Sequence, residues 1–305
     1  MIKIKNLVKK YGETIALKSI SLDIEDGEFL GILGPNGAGK TTLINILNTL
    51  LNFDKGKVLI NNLPIRENKS KIKKLLGVIP QDISLYSELT AMENLLFWGQ
   101  LYQIEASELK QRAIELLDMV GLLKRKNEPV KNFSGGMKRR LNIAIGLIHN
   151  PAILLLDEPT VGVDPQSRNF IFEILLNLHD IGKTIIYTTH YMEEAEKMCE
   201  KIAILDEGKI IKYGTKEELL SNFEYSEIII KFIDIVPPNL IEAFSEIFIT
   251  KKLDENTLSI KGERLSRRIQ QIIRLSENFA ISDIKYSAPN LEQLFLYLTG
   301  KKLRD

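Results

Sequence analysis

Residues 34–42 read GPNGAGKTT, and this stretch restricts the fold more than any other part of the chain. It matches G-x-x-x-x-G-K-[ST] at Gly34, Gly39, Lys40 and Thr41, with Pro35, Asn36, Gly37, Ala38 and Thr42 completing the loop. Glycines let backbone N–H groups converge on phosphate oxygens with no Cβ in the way. Such a loop works only between a buried strand and the positive end of a helix. Both are legible here: EFLGIL (28–33) is a short apolar run, and KTTLINILNTLL follows with helical spacing. In this reading Lys40 reaches the β and γ phosphates of a nucleotide, and Thr41 offers its hydroxyl to Mg²⁺.

A second apolar run, ILLLDEP (153–159), ends in two carboxylates. In an open parallel sheet, ligands bind at the C-terminal ends of strands, which is where Asp157 and Glu158 fall. Asp157 is the candidate for holding Mg²⁺ through water, and Glu158 for polarising the attacking water as general base. KTIIYTTH (183–190) is a third buried run. Between them, DPQSRNFIFEILLNLHDIG reads as a helix with Asp164 as N-cap and Pro165 at its first position. Strands alternating with helices imply an α/β fold with a largely parallel sheet. Residues 2–8 and 20–25 alternate as half-buried strands. Residues 82–150 show helical patterns with no strand between them and read as a helical insert. From about residue 221 to 305 the order β-α-β-β-α-β, with a hairpin around Asp254–Asn256, predicts a small α+β accessory domain of ferredoxin-like type.

Composition narrows the function. The formal net charge is +1, so no nucleic-acid partner is expected. Lys138, Arg139 and Arg140 are read as a solvated, carboxylate-paired helix face. The single cysteine, Cys199, excludes an intramolecular disulfide and reads as a packed thiol. His149 and His179 read as structural, and Trp98 as packed. No signal peptide and no apolar run of membrane-spanning length is visible. The expectation is a soluble chain that reaches a membrane only through other chains.

One phosphate site leaves FSGGM (133–137) unexplained. Ser134, Gly135 and Gly136 open a second helix, so this is a second anion-binding helix end, or else an ordinary capped helix. A GTP switch would carry N-K-x-D, and NKSK (68–71) lacks the aspartate. A metabolite kinase would account for the phosphate loop and leave the second turn unused.

Several spaced motifs over about residues 1–220 resemble the ATP-binding cassette (ABC) family, the ATPase subunits of ABC transporters. These are GPNGAGKTT, Gln81 in VIPQD, FSGGM for the family signature LSGGQ, ILLLDEP, Asp164 in VGVDP, and His190 closing TTH. The resemblance implies a P-loop NTPase core with a helical insert. It also implies that Tyr11 stacks on adenine, that Gln81 senses Mg²⁺ and the attacking water, and that His190 contacts the γ-phosphate. ATP and Mg²⁺ are the implied cofactors. Two cassettes of the family pack head to tail, so Ser134, Gly135, Gly136 and Asp164 would serve the partner's ATP. The partners implied are a second cassette and transmembrane permease chains, with this chain on the cytoplasmic face of the membrane. Met137 stands where the signature has glutamine. LTAMENLLFWGQLY and APNLEQLFLYLTG resemble cassettes of drug, lipid, polysaccharide or sodium exporters. A soluble cassette ATPase acting on ribosomes or DNA is the alternative.

Overall fold

The computed structural model describes residues 1–221 and 223–300. Asn222 and the tail 301–305, both inside the expected accessory domain, lie outside the described residues. The described residues separate into two compact units, Met1–Tyr213 and Gly214–Gly300.

In the first unit a six-stranded sheet runs in the order Lys209–Thr215, Lys201–Asp206, Phe29–Leu33, Thr184–Thr189, Ile153–Asp157, Leu76–Ile79. From Lys201–Asp206 across to Leu76–Ile79 every pairing is parallel. Both faces are covered, which is why the central strands are unbroken apolar runs. Leu154 and Leu156 point into a core shared with the helical layer. Ile153 and Leu155 point the other way, into a core shared with the phosphate-loop helix Lys40–Leu47. Register then sets the site. Leu33 pairs with Thr189, and Asp157 pairs with Thr188, so three strands end at one edge. Gly34, Glu158 and His190 each leave the sheet there.

Beside it lies an antiparallel sheet, ordered Thr14–Ile24, Ile2–Tyr11, Lys55–Ile60, Leu63–Pro64. Its first two strands are longer than the alternation predicts. The pairing shifts register between Ile4 and Leu7, and Asn6 and Ser19 have φ of 49° and 64°. Such bulges break the two-residue period on which the sequence reading rests. The insert contains helices Ala91–Leu101, Ala106–Met119 and Gly135–Leu147. The strand Leu76–Ile79 before it was not legible, because four residues carry too little periodicity.

His149 is structural, as expected. It stacks on Tyr102 at 3.7 Å between centroids, and its Nε2 lies 3.0 Å from the Leu76 carbonyl oxygen. Burial is the main cause that pushes its pKa down to about 4, so the folded chain holds the ring neutral. The unfolded chain binds a proton near the ordinary value of about 6.5. Stability tied to His149 is therefore present above that value and is lost as pH falls toward 4. Urea midpoints of the native chain should fall over this window. In His149→Gln they should fall less, and parallel curves would show that the ring does not titrate on unfolding.

The second unit runs β-α-β-β-α-β and ends in the helix Leu291–Thr299. Its sheet is ordered Ile249–Asp254, Thr257–Glu263, Tyr225–Phe232, Ile281–Ser287, with every pairing antiparallel. Ile228, Ile230, Phe232, Leu258 and Ile260 form its core with Leu240 and Phe244 of the helix Pro238–Ser245. The hairpin turns at Asp254, whose Oδ1 accepts from the Asn256 N–H at 3.0 Å, an Asx turn. The short helix Lys216–Leu220 packs against Leu291–Thr299 and so groups with this unit, whereas the sequence reading ended the first domain at 220.

Candidate active site

The phosphate loop closes over Lys40, which is only 4% exposed. Its Nζ donates to the carbonyls of Gly34 at 2.8 Å and Pro35 at 3.0 Å, and sits 3.0 Å from Glu158 Oε1. Gly39 has φ of 110°, a conformation open to glycine alone at little cost. The helix that follows has no side-chain cap, so its first N–H groups stay available to an anion. A hairpin turn supports the loop from behind, with the Gly208 N–H donating to the Ala38 carbonyl at 3.0 Å. In front lies a cleft of about 380 Å³ lined by Ala16, Gly37, Lys40, Thr41, Gln81 and Glu158, with Asn36, Gly39 and Thr42 at its wall.

The acidic edge faces this cleft. Thr188 Oγ1 donates to Asp157 Oδ1 at 2.6 Å and accepts from the Glu158 N–H at 3.0 Å. Glu158 has φ of 45°, a left-handed conformation that costs a side-chain-bearing residue about 1–3 kcal/mol. That turn swings its carboxylate off the strand axis and toward Lys40. Its other oxygen, Oε2, lies 3.2 Å from His190 Nδ1, a close approach without hydrogen-bond alignment. Next to His190 in the chain, Thr189 belongs to a buried network around Glu194. Glu194 accepts from the hydroxyls of Thr160, Tyr187 and Thr189 at 2.7, 2.7 and 2.8 Å. Burial and this carboxylate push the Tyr187 phenol pKa well up, so it stays a donor.

The second glycine turn is elsewhere. Ser134, Gly135, Gly136 and Asp164 do not line the cleft that holds Lys40 and Glu158. Ser134 caps the helix Gly135–Leu147, accepting from the Met137 N–H at 3.3 Å. Gly135 and Gly136 differ in kind. A Cβ on Gly135 would meet nothing within 4 Å, whereas one on Gly136 would overlap the Ser167 hydroxyl and come within 3.0 Å of Asp164 Oδ2. Asp164 caps the helix Pro165–Asp180 through the Ser167 N–H at 2.9 Å, which holds its carboxyl below the usual range. Signature turn and Asp164 thus form one surface, with Gly135 facing outward. Tyr11 is also apart from the cleft, half exposed at a hairpin end with Lys9 Nζ 5.2 Å from its ring centroid.

A family model described as ABC transporter matches residues 17–161. The chain is 40% identical to the linearmycin resistance ATP-binding protein of Bacillus subtilis (strain 168), over 100% of both chains. It belongs to the ABC transporter ATP-binding family. It is an ATP-hydrolysing enzyme of that family. The Nod factor export ATP-binding protein I of Cupriavidus metallidurans is 34% identical, with 100% of this chain and 99% of that one covered. Among solved structures, a dimeric ATP-binding cassette in a post-hydrolysis state with ADP and phosphate superposes with a TM-score of 0.65. It is 34% identical, over 70% of this chain and 98% of that one. The ATP-binding subunit of an ABC transporter gives a TM-score of 0.67 at 27% identity, covering 73% of this chain and 93% of that one.

One expectation about this ABC ATPase needs correcting. The run Lys138–Arg140 is not a solvated, carboxylate-paired face. Arg140 donates to the Val120 carbonyl at 2.7 Å and stacks over Phe170. Arg139 is 3% exposed and donates to the carbonyls of Pro80 and Gln81, both at 2.7 Å. The helical phase carried the signal: Arg139 follows Gly136 by three residues and precedes Ile143 by four, on the buried stripe. Thr188 and Glu194 were also missed as site residues. Neither has a motif of its own, since a hydroxyl in a strand and a glutamate in a helix are common.

Proposed function

We propose that this chain energises a membrane exporter by ATP-driven, head-to-tail pairing with a second cassette. One observation carries the reading: a second, outward-facing anion turn at Ser134–Gly136 lies outside the chain's own nucleotide cleft. Capping accounts for Ser134, while the open space over Gly135 leaves room for another molecule's phosphate at this helix end. The dimeric cassette among the similar solved structures supports the arrangement. The names of its relatives, linearmycin resistance and Nod factor export, support an exporter.

Within each site this chain's residues divide the work. The loop N–H groups of Gly34–Thr42 and Lys40 bind the phosphates, and Tyr11 stacks on adenine. Glu158 takes the proton of the attacking water at a carboxylate oxygen. His190 contacts the γ-phosphate. Ser134, Gly135, Gly136 and Asp164 close over the partner's nucleotide. Thr41 and Gln81 line the cleft and Asp157 stands at its edge, all hard oxygen donors of the kind Mg²⁺ takes, so the site fits that ion. Bound there, Mg²⁺ would neutralise charge developing on the transferred phosphoryl group. We read the second unit as a ferredoxin-like accessory domain.

No helix among the described residues is long and apolar enough to cross a membrane. Docking to permease chains at the cytoplasmic face falls to the insert, near Gln81–Trp98, as the family resemblance implies. There Phe97 meets both Tyr86 and Trp98 edge to face, with Tyr86 and Phe97 exposed. Purification of the tagged chain from native membranes tests the reading. Polytopic membrane chains should accompany it in fixed stoichiometry. Recovery with ribosomes or DNA instead would contradict it.

A further inference from the structure

Arg139 occupies an unusual position for a charged group. Its guanidinium is buried, and its acceptors are backbone carbonyls: Nη1 donates to Pro80 at 2.7 Å, and Nη2 to Gln81 at 2.7 Å and Glu158 at 3.4 Å. Burying a cation costs free energy that an apolar side chain of equal volume would not. A lysine would place a single point charge there, whereas the planar fork of arginine reaches two chain segments at once. Asp82 and Asp157 are the nearby carboxylates whose charge favours the cation.

Both segments carry chemistry. Pro80–Gln81 bears the glutamine that lines the cleft. Glu158 sits in a left-handed turn that needs holding at both ends. Its N–H is held by Thr188, at 3.0 Å to Oγ1 and 3.2 Å to the carbonyl oxygen, and its carbonyl by Arg139. Arg139 itself stands one turn into the helix that begins with Ser134–Gly136. A displacement of that helix therefore moves the group that holds the glutamine loop and the general-base turn.

We infer that Arg139 is a positioning residue that couples the two nucleotide sites of the cassette pair. The inference rests on the head-to-tail reading, in which the Ser134–Gly136 turn serves the opposite ATP. Closure of the turn on one nucleotide is then transmitted through Arg139 to Gln81 and Glu158 of the other. One site's occupancy sets the alignment of the other's base, which makes hydrolysis positively cooperative.

Arg139→Met and Arg139→Lys in the full-length chain test this. Methionine fills the volume without donors, and lysine keeps charge without the fork. Both should bind ATP as monomers with the native Kd, because Lys40 and the loop N–H groups are untouched. Their kcat should fall about 10–100-fold with KM little changed, the scale of losing charged hydrogen bonds made through positioning. The Hill coefficient for ATP should drop from near two toward one in Arg139→Met. Should the methionine variant fail to fold, the lysine variant carries the same kcat and Hill readouts. A folded variant with native kcat and native cooperativity overturns the coupling role while leaving the pairing intact. A native chain that hydrolyses ATP as a monomer with a Hill coefficient of one overturns the pairing itself, and the coupling with it.

Discussion

Glu158→Gln binds ATP and hydrolyses it about 10²–10⁴-fold more slowly than the native chain, the range lost with a general base. The substitution keeps the shape of the side chain and removes its negative charge and its capacity to take a proton. The backbone that aims it should not move, since Thr188 and Arg139 hold the turn through main-chain atoms. Binding should persist or tighten, because Lys40 is no longer drawn to a carboxylate 3.0 Å away. Single-turnover assays with γ-labelled ATP measure both terms. Hydrolysis within a few-fold of native would remove Glu158 from the role of base.

Gly135→Asp folds normally and loses hydrolysis. A Cβ at this position meets nothing within 4 Å, so no clash follows. An aspartate in the first turn of a helix is even favourable toward the macrodipole. Monomer affinity for ATP should be unchanged, because the residue lies outside the chain's own cleft. The harm falls on a phosphate approaching the turn from another chain, where like charges meet in a partly desolvated site. The expected loss in kcat is about 10²–10³-fold, the scale of removing one oxyanion donor. Gly136→Asp makes the contrast: its side chain would collide with Ser167 and Asp164, so thermal stability should fall together with activity.

The parts of this site legible in the sequence are those whose chemistry fixes a spacing. A phosphate loop cannot be built without its glycines, lysine and hydroxyl at set intervals, and Asp164 followed by Pro165 announces a helix start. The supporting residues obey no such rule. Arg139 sits in a run of three cations, and the letters are the same whether the run faces water or core. The helix phase, with Gly136 and Ile143 on the same stripe, decides between them. Thr188 matters only because the parallel register sets it beside Asp157, a relation between strands far apart in sequence. The strand Leu76–Ile79 escaped because four residues are too few for a readable period, and the first two strands ran past their expected ends because bulges interrupt the alternation.

Sedimentation of the full-length chain with Mg-ATP tests most directly whether the second glycine turn serves another molecule's nucleotide. Glu158→Gln, which retains its ATP, should sediment as a dimer at micromolar concentration and as a monomer without nucleotide. The double variant Glu158→Gln with Gly135→Asp should remain a monomer with one ATP bound per chain. A double variant that dimerises as tightly as Glu158→Gln alone would mean that Ser134–Gly136 only caps its helix.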